Sequence, residues 1–303
     1  MLLTNTELEK LSLKITNVLT HEMNWKIKDI RLIGSGVINA VFLIKDKERG
    51  LLAVRTPWRS EERMMDKNSS GIISLQKEAG IAEHCYKHQI PVPKIHKLYF
   101  SNEINFLVSN FVTGDDHEIS SFDVGKLTSK IHKLPTDGLT IIDQQEQTLS
   151  KIISERITER VVSLRKLVYT DLFVPDSGEL EAILNTSKIT NCLLHLDVRR
   201  PNIIAKNGII QAIIDWDNAF IGNPIMELMR ISETQELDEV EFLKGYNAEK
   251  LLKNTEKVIQ SIYRLDTALM LSILFISFLN DKEKSEYYIN RVQLLFDEIN
   301  KYL

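Results

Sequence analysis

Leu194-His195-Leu196-Asp197-Val198-Arg199-Arg200-Pro201-Asn202, followed by Ile213-Ile214-Asp215-Trp216, is the stretch on which the reading of this chain turns. It holds two carboxylates and an amide, all short side chains that carry oxygen. One carboxylate of such a set can take a proton from an attacking hydroxyl. The amide and the other carboxylate can hold magnesium on the phosphates of a nucleotide.

Between Asn202 and Asp215 two β-branched runs flank Asn207-Gly208. Asn-Gly tolerates positive φ at both central positions of a tight turn, so a β-hairpin is predicted. Asn202 and Asp215 then lie at its open end. Magnesium keeps water and phosphate oxygens in its octahedral shell, so two protein ligands suffice. Asp197 lies on the loop that feeds the hairpin, delivered by a short buried strand at 191–194. Arg199 is placed to reach a transferred phosphoryl group, and His195 to hold the loop by hydrogen bonds. Plain turn chemistry is the competing explanation for an Asp–Asn–Asp set.

Upstream, a strand at 30–33 runs into Gly34-Ser35-Gly36-Val37-Ile38-Asn39, and a second strand follows at 40–44. Glycines between two strands let the backbone fold closely over phosphates. A dinucleotide fingerprint needs a helix after its glycines, and none is indicated here. Residues 50–55 resemble the strand that carries a phosphate-binding cation in kinases, with Arg55 in place of the usual Lys. Arg keeps a permanent charge and a planar fork of donors. A helix predicted over 72–89 carries Glu78, which can pair with Arg55. The competing readings are an exposed edge-strand charge for Arg55 and a solvated helix face for Glu78. Pro91 and Pro93 end that helix. Strands at 95–100 and 105–108 lead into a linker, where Ser109 to Phe111 offer backbone groups to a purine edge. Phe111 fits core packing equally well.

With these residues in hand, the chain resembles the aminoglycoside phosphotransferase family, the small-molecule branch of the kinase-like fold. That family includes choline, homoserine and macrolide kinase relatives. The resemblance runs from about residue 30 to 233. Its most specific pieces are His195-x-Asp197-x-x-x-x-Asn202, Ile214-Asp215-Trp216 and Gly222-Asn223-Pro224. It implies an α+β, bilobal protein-kinase-like fold. Residues 1–109 would form a nucleotide-binding lobe with an antiparallel sheet and one main helix. Residues 110–303 would form a larger, mostly helical lobe for catalysis and acceptor binding. The resemblance implies that Asp197 is the catalytic base and that Asn202 and Asp215 bind Mg2+. It makes Arg55 and Glu78 the phosphate-positioning pair, and gives the purine of ATP or GTP to the backbones of Ser109 and Phe111. Gly34, Ser35, Gly36 and Arg199 complete the expected nucleotide site. The chain departs from the family at Leu196, where Gly is usual, and at Pro201, one position late. Asn223 and Glu227 also stand where Asp is common. None of these changes removes a reacting group.

Only residues 216–223 separate Asp215 from Pro224, and Asn223-Pro224 reads as the start of a helix. That leaves no platform for a peptide, so a small hydroxyl-bearing acceptor is expected. The acids Glu227, Glu233, Glu236, Asp238, Glu239 and Glu241 would favour a cationic acceptor if they lined a pocket; otherwise they are solvated helix faces. Asp217 either faces the metal or acceptor, or makes a turn. Further helices are predicted near 121–133, 146–169 and 177–187, and after Pro224.

The 303 residues are enough for two cores. A hydrophobic share of 43% and a charged share of 26% are ordinary for a globular chain. A net charge of −4 gives no reason to expect nucleic acid. Cys85 and Cys192 read as buried thiols, in keeping with a reducing cytoplasm. No signal pattern opens the chain, and the apolar run 268–279 is too short to span a bilayer, so no membrane role is expected. Oligomeric state is not encoded in any readable feature. The rivals are a nucleotide-binding regulator that keeps the fold without turnover, and a protein kinase.

Overall fold

Strands of alternating β-branched and aromatic residues build a five-stranded antiparallel sheet in the order β1-β2-β3-β5-β4. They are β1 (Ile27–Ser35), β2 (Asn39–Asp46), β3 (Gly50–Pro57), β4 (Ile95–Tyr99) and β5 (Phe106–Asn110). The computed structural model describes residues 4–36, 39–58, 70–141, 147–168, 172 and 176–302. Val37 and Ile38, at the tip of the expected glycine loop, lie outside the described residues.

Side chains of a strand alternate between faces. Leu52 and Val54 of β3 and Phe106 and Val108 of β5 join Phe42 and Ile44 in one core, closed by Ile15 of the first helix and Leu19 of the π-helical turn after it. Leu107 faces the other way, against Leu75 and Ala79 of α2 (Gly71–Lys87). Each fully buried Leu, Ile or Phe contributes about 1.5–3 kcal/mol. Arg55 is opposite Leu107 in the register and so belongs to the α2 face. That is why it meets Glu78, which lies on the same side of α2 as Leu75 and Ala79.

The first helix, α1 (Asn5–Asn17), has no counterpart in the sequence expectations. Its signal is Thr4-x-x-Glu7, a reciprocal capping box that forms as the pattern requires.

By compactness the chain divides into two units. The first takes Met1–Ile119, Asp137–Asp143 and Pro201–Ala219; the second takes Ser120–Thr136, Gln144–Arg200 and Phe220–Leu303. The expected division at residues 109 and 110 is a single cut, whereas these units interleave. The reason is the hairpin of β7 (Ile203–Lys206) and β8 (Ile209–Ile213), which belongs to the first unit. Asp115 anchors it, accepting the Asn207 N–H at 2.8 Å and donating its own N–H to Ala205 at 2.9 Å.

The second unit is mainly helical, with α3 (Ser121–Ile131), α4 (Leu149–Val168), α5 (Ser177–Leu184), α6 (Pro224–Thr234), α7 (Glu239–Tyr246), α8 (Glu249–Lys253), α9 (Lys257–Leu274) and α10 (Lys282–Ile299). A short ribbon of β6 (Cys192–Leu194) and β9 (Phe220–Gly222) adjoins α6. Asn223 caps α6 by accepting the Ile225 N–H, and Pro224 opens it, as its sequence predicts. The apolar run at 268–279 is part of a longer helix than expected. With its π-helical end it covers Lys257–Leu279, 23 residues, long and apolar enough on those counts to cross a membrane. Here α9 packs against α4, α6 and α10, with 61% of its most apolar window buried. The thiols of Cys85 and Cys192 are buried and free, and burial pushes that of Cys85 up to about 12.

Candidate active site

In the first unit the predicted hairpin forms, with a register shift between Ile204 and Ala205. Ile203 lies opposite Ile213, and the Ile214 N–H donates to the Asn202 carbonyl at 2.9 Å. Asn207 and Gly208 take φ of 51° and 73°, the positive values the turn demands. Asn202 is thereby fixed opposite Ile214, one residue from Asp215.

Arg55 and Glu78 meet as expected, neither of them solvated. Arg55 Nη1 lies 3.4 Å from Glu78 Oε2, and the two side chains are 15% and 9% exposed. Arg55 Nη2 also donates to Asp215 Oδ1 at 2.9 Å and to Asp217 Oδ2 at 2.5 Å. Asn39 turns its amide oxygen to the guanidinium, accepting from Nε at 3.1 Å and from Nη2 at 2.8 Å. Ser74 of α2 donates its hydroxyl to Asp217 Oδ1 at 2.6 Å. The Trp216 N–H donates to Glu78 Oε2 at 2.6 Å, tying the helix to the segment between the two aspartates.

One guanidinium thus serves three carboxylates. Burial works against its charge, but Asp217, Asp215 and Glu78 more than offset it and raise its pKa. Burial pushes the Glu78 carboxyl up to about 7; Arg55 opposes the rise, and Asp215 and Asp217 add to it. Oxygens of Glu78, Asp215 and Asp217 lie within 4.8 Å of one another. Such a set of hard oxygen donors suits magnesium better than a softer metal. Asp217 therefore belongs to the charged cluster and not merely to a turn. Ser74 was not singled out in the sequence, although its place one helical turn before Glu78 was a usable signal.

The remaining nucleotide-site expectations divide. Gly34 and Ser35 end β1, opposite Val41 and Ala40, and Gly36 closes the hairpin by donating its N–H to Asn39 at 2.8 Å. Among the described residues, a Cβ on Gly34 would meet nothing within 4 Å. Ser109 sits inside the sheet, opposite Ala53 and Ile95. The Phe111 N–H, expected to face a purine, instead donates to the Leu51 carbonyl at 3.1 Å. The sheet continues one residue past β5 and uses that donor.

In the second unit, β6 delivers the loop that carries Asp197. His195 is fully buried, and its Nδ1 accepts the Asp197 N–H at 3.2 Å, a holding role as predicted. Arg199 donates from Nε to Asp197 Oδ2 at 3.1 Å, so here it pairs with the expected base. Leu196 takes φ of 58°, left-handed. Glu227 of α6 holds it there, accepting the His195 N–H at 2.9 Å and the Leu196 N–H at 2.6 Å. His132 Nε2 lies 2.9 Å from the same carboxylate. Burial opposes the Glu227 charge, but the His132 hydrogen bond, the His132 and His195 rings and the His195 N–H hold its carboxyl below the usual range. Pro201 sits in the 3₁₀ turn Arg200–Asn202, which accommodates its late position.

Most of the acidic stretch is engaged within the fold. Glu227 holds the loop; Glu233 is buried against Arg264 and Arg291. Asp238 caps α7, and Glu239 accepts from Ser232.

Residues 29–258 match the sequence profile of the phosphotransferase enzyme family, APH. The chain belongs to that family. Its fold is shared with aminoglycoside phosphotransferase APH(2'')-Ib bound to ADP, at 17% identity, a TM-score of 0.60 and coverage of 93% of this chain and 96% of that one. A thermostable mutant of APH(4)-Ia, in ternary complex with ADP and hygromycin B, gives 14%, 0.65, 93% and 97%. The streptomycin–ATP–APH(2'')-IIa ternary complex gives 15%, 0.60, 97% and 97%. No curated protein matches the sequence. The phosphotransferase thus has the kinase-like fold that its loop motif implied.

Proposed function

We propose that this phosphotransferase is a magnesium-dependent kinase that moves the γ-phosphoryl group of ATP or GTP to a hydroxyl of a small molecule, an aminoglycoside-type antibiotic or a related metabolite. The observation that carries this reading is the assembly of Arg55, Glu78, Asp215 and Asp217 in one unit, with Asn202 fixed beside Asp215. Support also comes from similar folds solved with nucleotides and aminoglycosides.

Asn202, Asp215 and Asp217 would hold magnesium, which when bound neutralises charge on the phosphates. Arg55 binds phosphate oxygens, oriented by Glu78. Asp197 accepts the proton of the acceptor hydroxyl as its oxygen bonds to the γ-phosphorus. The bond from that phosphorus to the bridging oxygen breaks, and the nucleoside diphosphate leaves. Positioning and charge stabilisation carry most of the rate. We assign the enzyme to the cytoplasm, where its nucleotide is abundant and buried thiols stay reduced.

A screen of nucleotide consumption with ATP and GTP, across aminoglycosides, macrolides, choline, homoserine and other small alcohols, tests the reading, with mass spectrometry locating the added phosphate. Asp197→Ala is expected to lower transfer by about 10²–10⁴-fold while nucleotide binding persists. Unchanged turnover in that variant would remove Asp197 from its role. Nucleotide binding without product from any acceptor would favour the regulator instead.

A further inference from the structure

We propose that Arg55 holds the place of the divalent cation between Asp215 and Asp217 while nucleotide is absent. A triphosphate then frees the two carboxylates by offering the guanidinium phosphate oxygens in exchange. The inference rests on the metal role assigned to Asp215 under the proposed function.

The geometry is specific. A single nitrogen, Nη2, bridges Asp215 Oδ1 and Asp217 Oδ2, while Nη1 faces Glu78. Both oxygens of Asp217 are engaged, one by Arg55 and one by Ser74. Asp217 can reach a metal only if one of them lets go. Ser74 is a neutral hydroxyl on a buried helix face, whereas Arg55 has an alternative partner in a phosphate. The side chains of Asp215 and Asp217 are 33% and 23% exposed and that of Arg55 is 15% exposed, so the carboxylates are more open to an incoming cation than the arginine is.

The departure from Lys to Arg gains a meaning here. An ammonium is a compact point charge, whereas the planar fork presents Nη2 to the two aspartates and Nη1 to Glu78 from fixed directions. Metal and nucleotide become coupled through one side chain, and such coupling is reciprocal.

The test is a titration of nucleotide-free protein with Mn2+, reading free ion by electron paramagnetic resonance. Wild-type protein should bind weakly. Arg55→Lys keeps the charge but loses the bridge, and should tighten binding by about tenfold, the scale of one charge-assisted contact. Arg55→Gln should tighten it at least as much. Adding Asp217→Asn to Arg55→Lys should remove the gain. Thermal melting with and without Mn2+ checks that each variant folds, and should show a metal-dependent rise only where Arg55 is replaced. An Arg55→Lys protein that binds Mn2+ no better than wild type overturns the inference, as does tight binding by nucleotide-free wild type. A gain from Arg55→Gln alone would reduce the effect to net charge and overturn the bridging role. If the gain appears but no acceptor is ever phosphorylated, the kinase reading fails and this one stands. Transfer activity without the gain sinks this inference alone.

Discussion

The carboxylate of Glu227 accepts the backbone N–H of Leu196 at 2.6 Å and so pins a leucine in the left-handed region, one residue before the expected base. That conformation costs a non-glycine residue about 1–2 kcal/mol, and glycine would adopt it freely. The leucine repays part of this by burial, being 1% exposed. Glu227→Ala should leave the His195 and Leu196 N–H groups without their acceptor and lower stability by about 3 kcal/mol or more. Denaturant unfolding measures the loss, and turnover should fall further than stability explains. Glu227→Gln keeps one acceptor oxygen and should cost less. Equal, small effects from both would mean the loop holds its shape without the clamp.

Asp266 of α9 is fully buried, held by Arg156 at 2.6 Å and by Arg160 at 2.9 Å. Burial opposes its charge, but Arg156 and Arg160 hold its carboxyl below the ordinary range of an aspartate. A depressed folded-state pKa gives stability that is complete above the unfolded value and is lost as pH falls through the folded one. Wild type should therefore lose stability below about pH 3.8 more steeply than Asp266→Asn. At neutral pH that variant should be weaker by about 3–5 kcal/mol, because buried guanidinium groups lose their carboxylate. Unfolding free energies measured from neutral to acid pH decide this. Parallel pH profiles would show that Asp266 does not supply the acid sensitivity.

Gly125 of α3 and Gly245 of α7 pack reciprocally. A Cβ on Gly125 would overlap the Phe242 carbonyl, and one on Gly245 would overlap the Phe122 carbonyl. Alanine in a helix interior normally stabilises by about 0.5–1 kcal/mol over glycine. Here overpacking against backbone should reverse the sign, to a loss of about 1–3 kcal/mol for either Gly125→Ala or Gly245→Ala. The double variant should cost less than the sum, since the first change already separates the helices. A stabilised single variant would refute the close crossing.

Much of this architecture could be read locally. Asn207-Gly208 announced its turn, and the turn fixed the partners of Asn202 and Asp215. The apolar stripe of α2 carried Glu78 toward the sheet, and strand alternation turned Arg55 to meet it. The capping box at Thr4 is equally local and marks the start of α1. Other features depend on contacts that no local pattern encodes. Ser74 bonds Asp217 across 143 residues, and Arg55 reaches it across 162. In the acidic run after Pro224, spacing alone does not tell a solvated acid from one committed to an internal arginine or backbone N–H. The Phe111 N–H is taken up for a similar reason. A strand that runs one residue longer than its apolar pattern uses one more N–H.

The Asn207-Gly208 turn also offers a direct handle on the two residues proposed to hold magnesium, Asn202 and Asp215. Gly208 sits at φ 73°, and a Cβ there would meet only the Glu118 carbonyl at 3.8 Å, an ordinary contact. Space is available, so Gly208→Ala should cost only the backbone strain, about 1–2 kcal/mol. Asn207→Gly should be tolerated, since glycine accepts φ of 51° without strain. Because β7 and β8 set Asn202 beside Asp215, a loosened turn should be felt at their open end. The magnesium concentration for half-maximal nucleotide turnover should rise in Gly208→Ala and stay near wild type in Asn207→Gly. Should Gly208→Ala melt earlier while its magnesium dependence is unchanged, the ligand pair is held by the Asp115 anchor and the Ile203–Ile213 ladder alone, and the turn serves folding only.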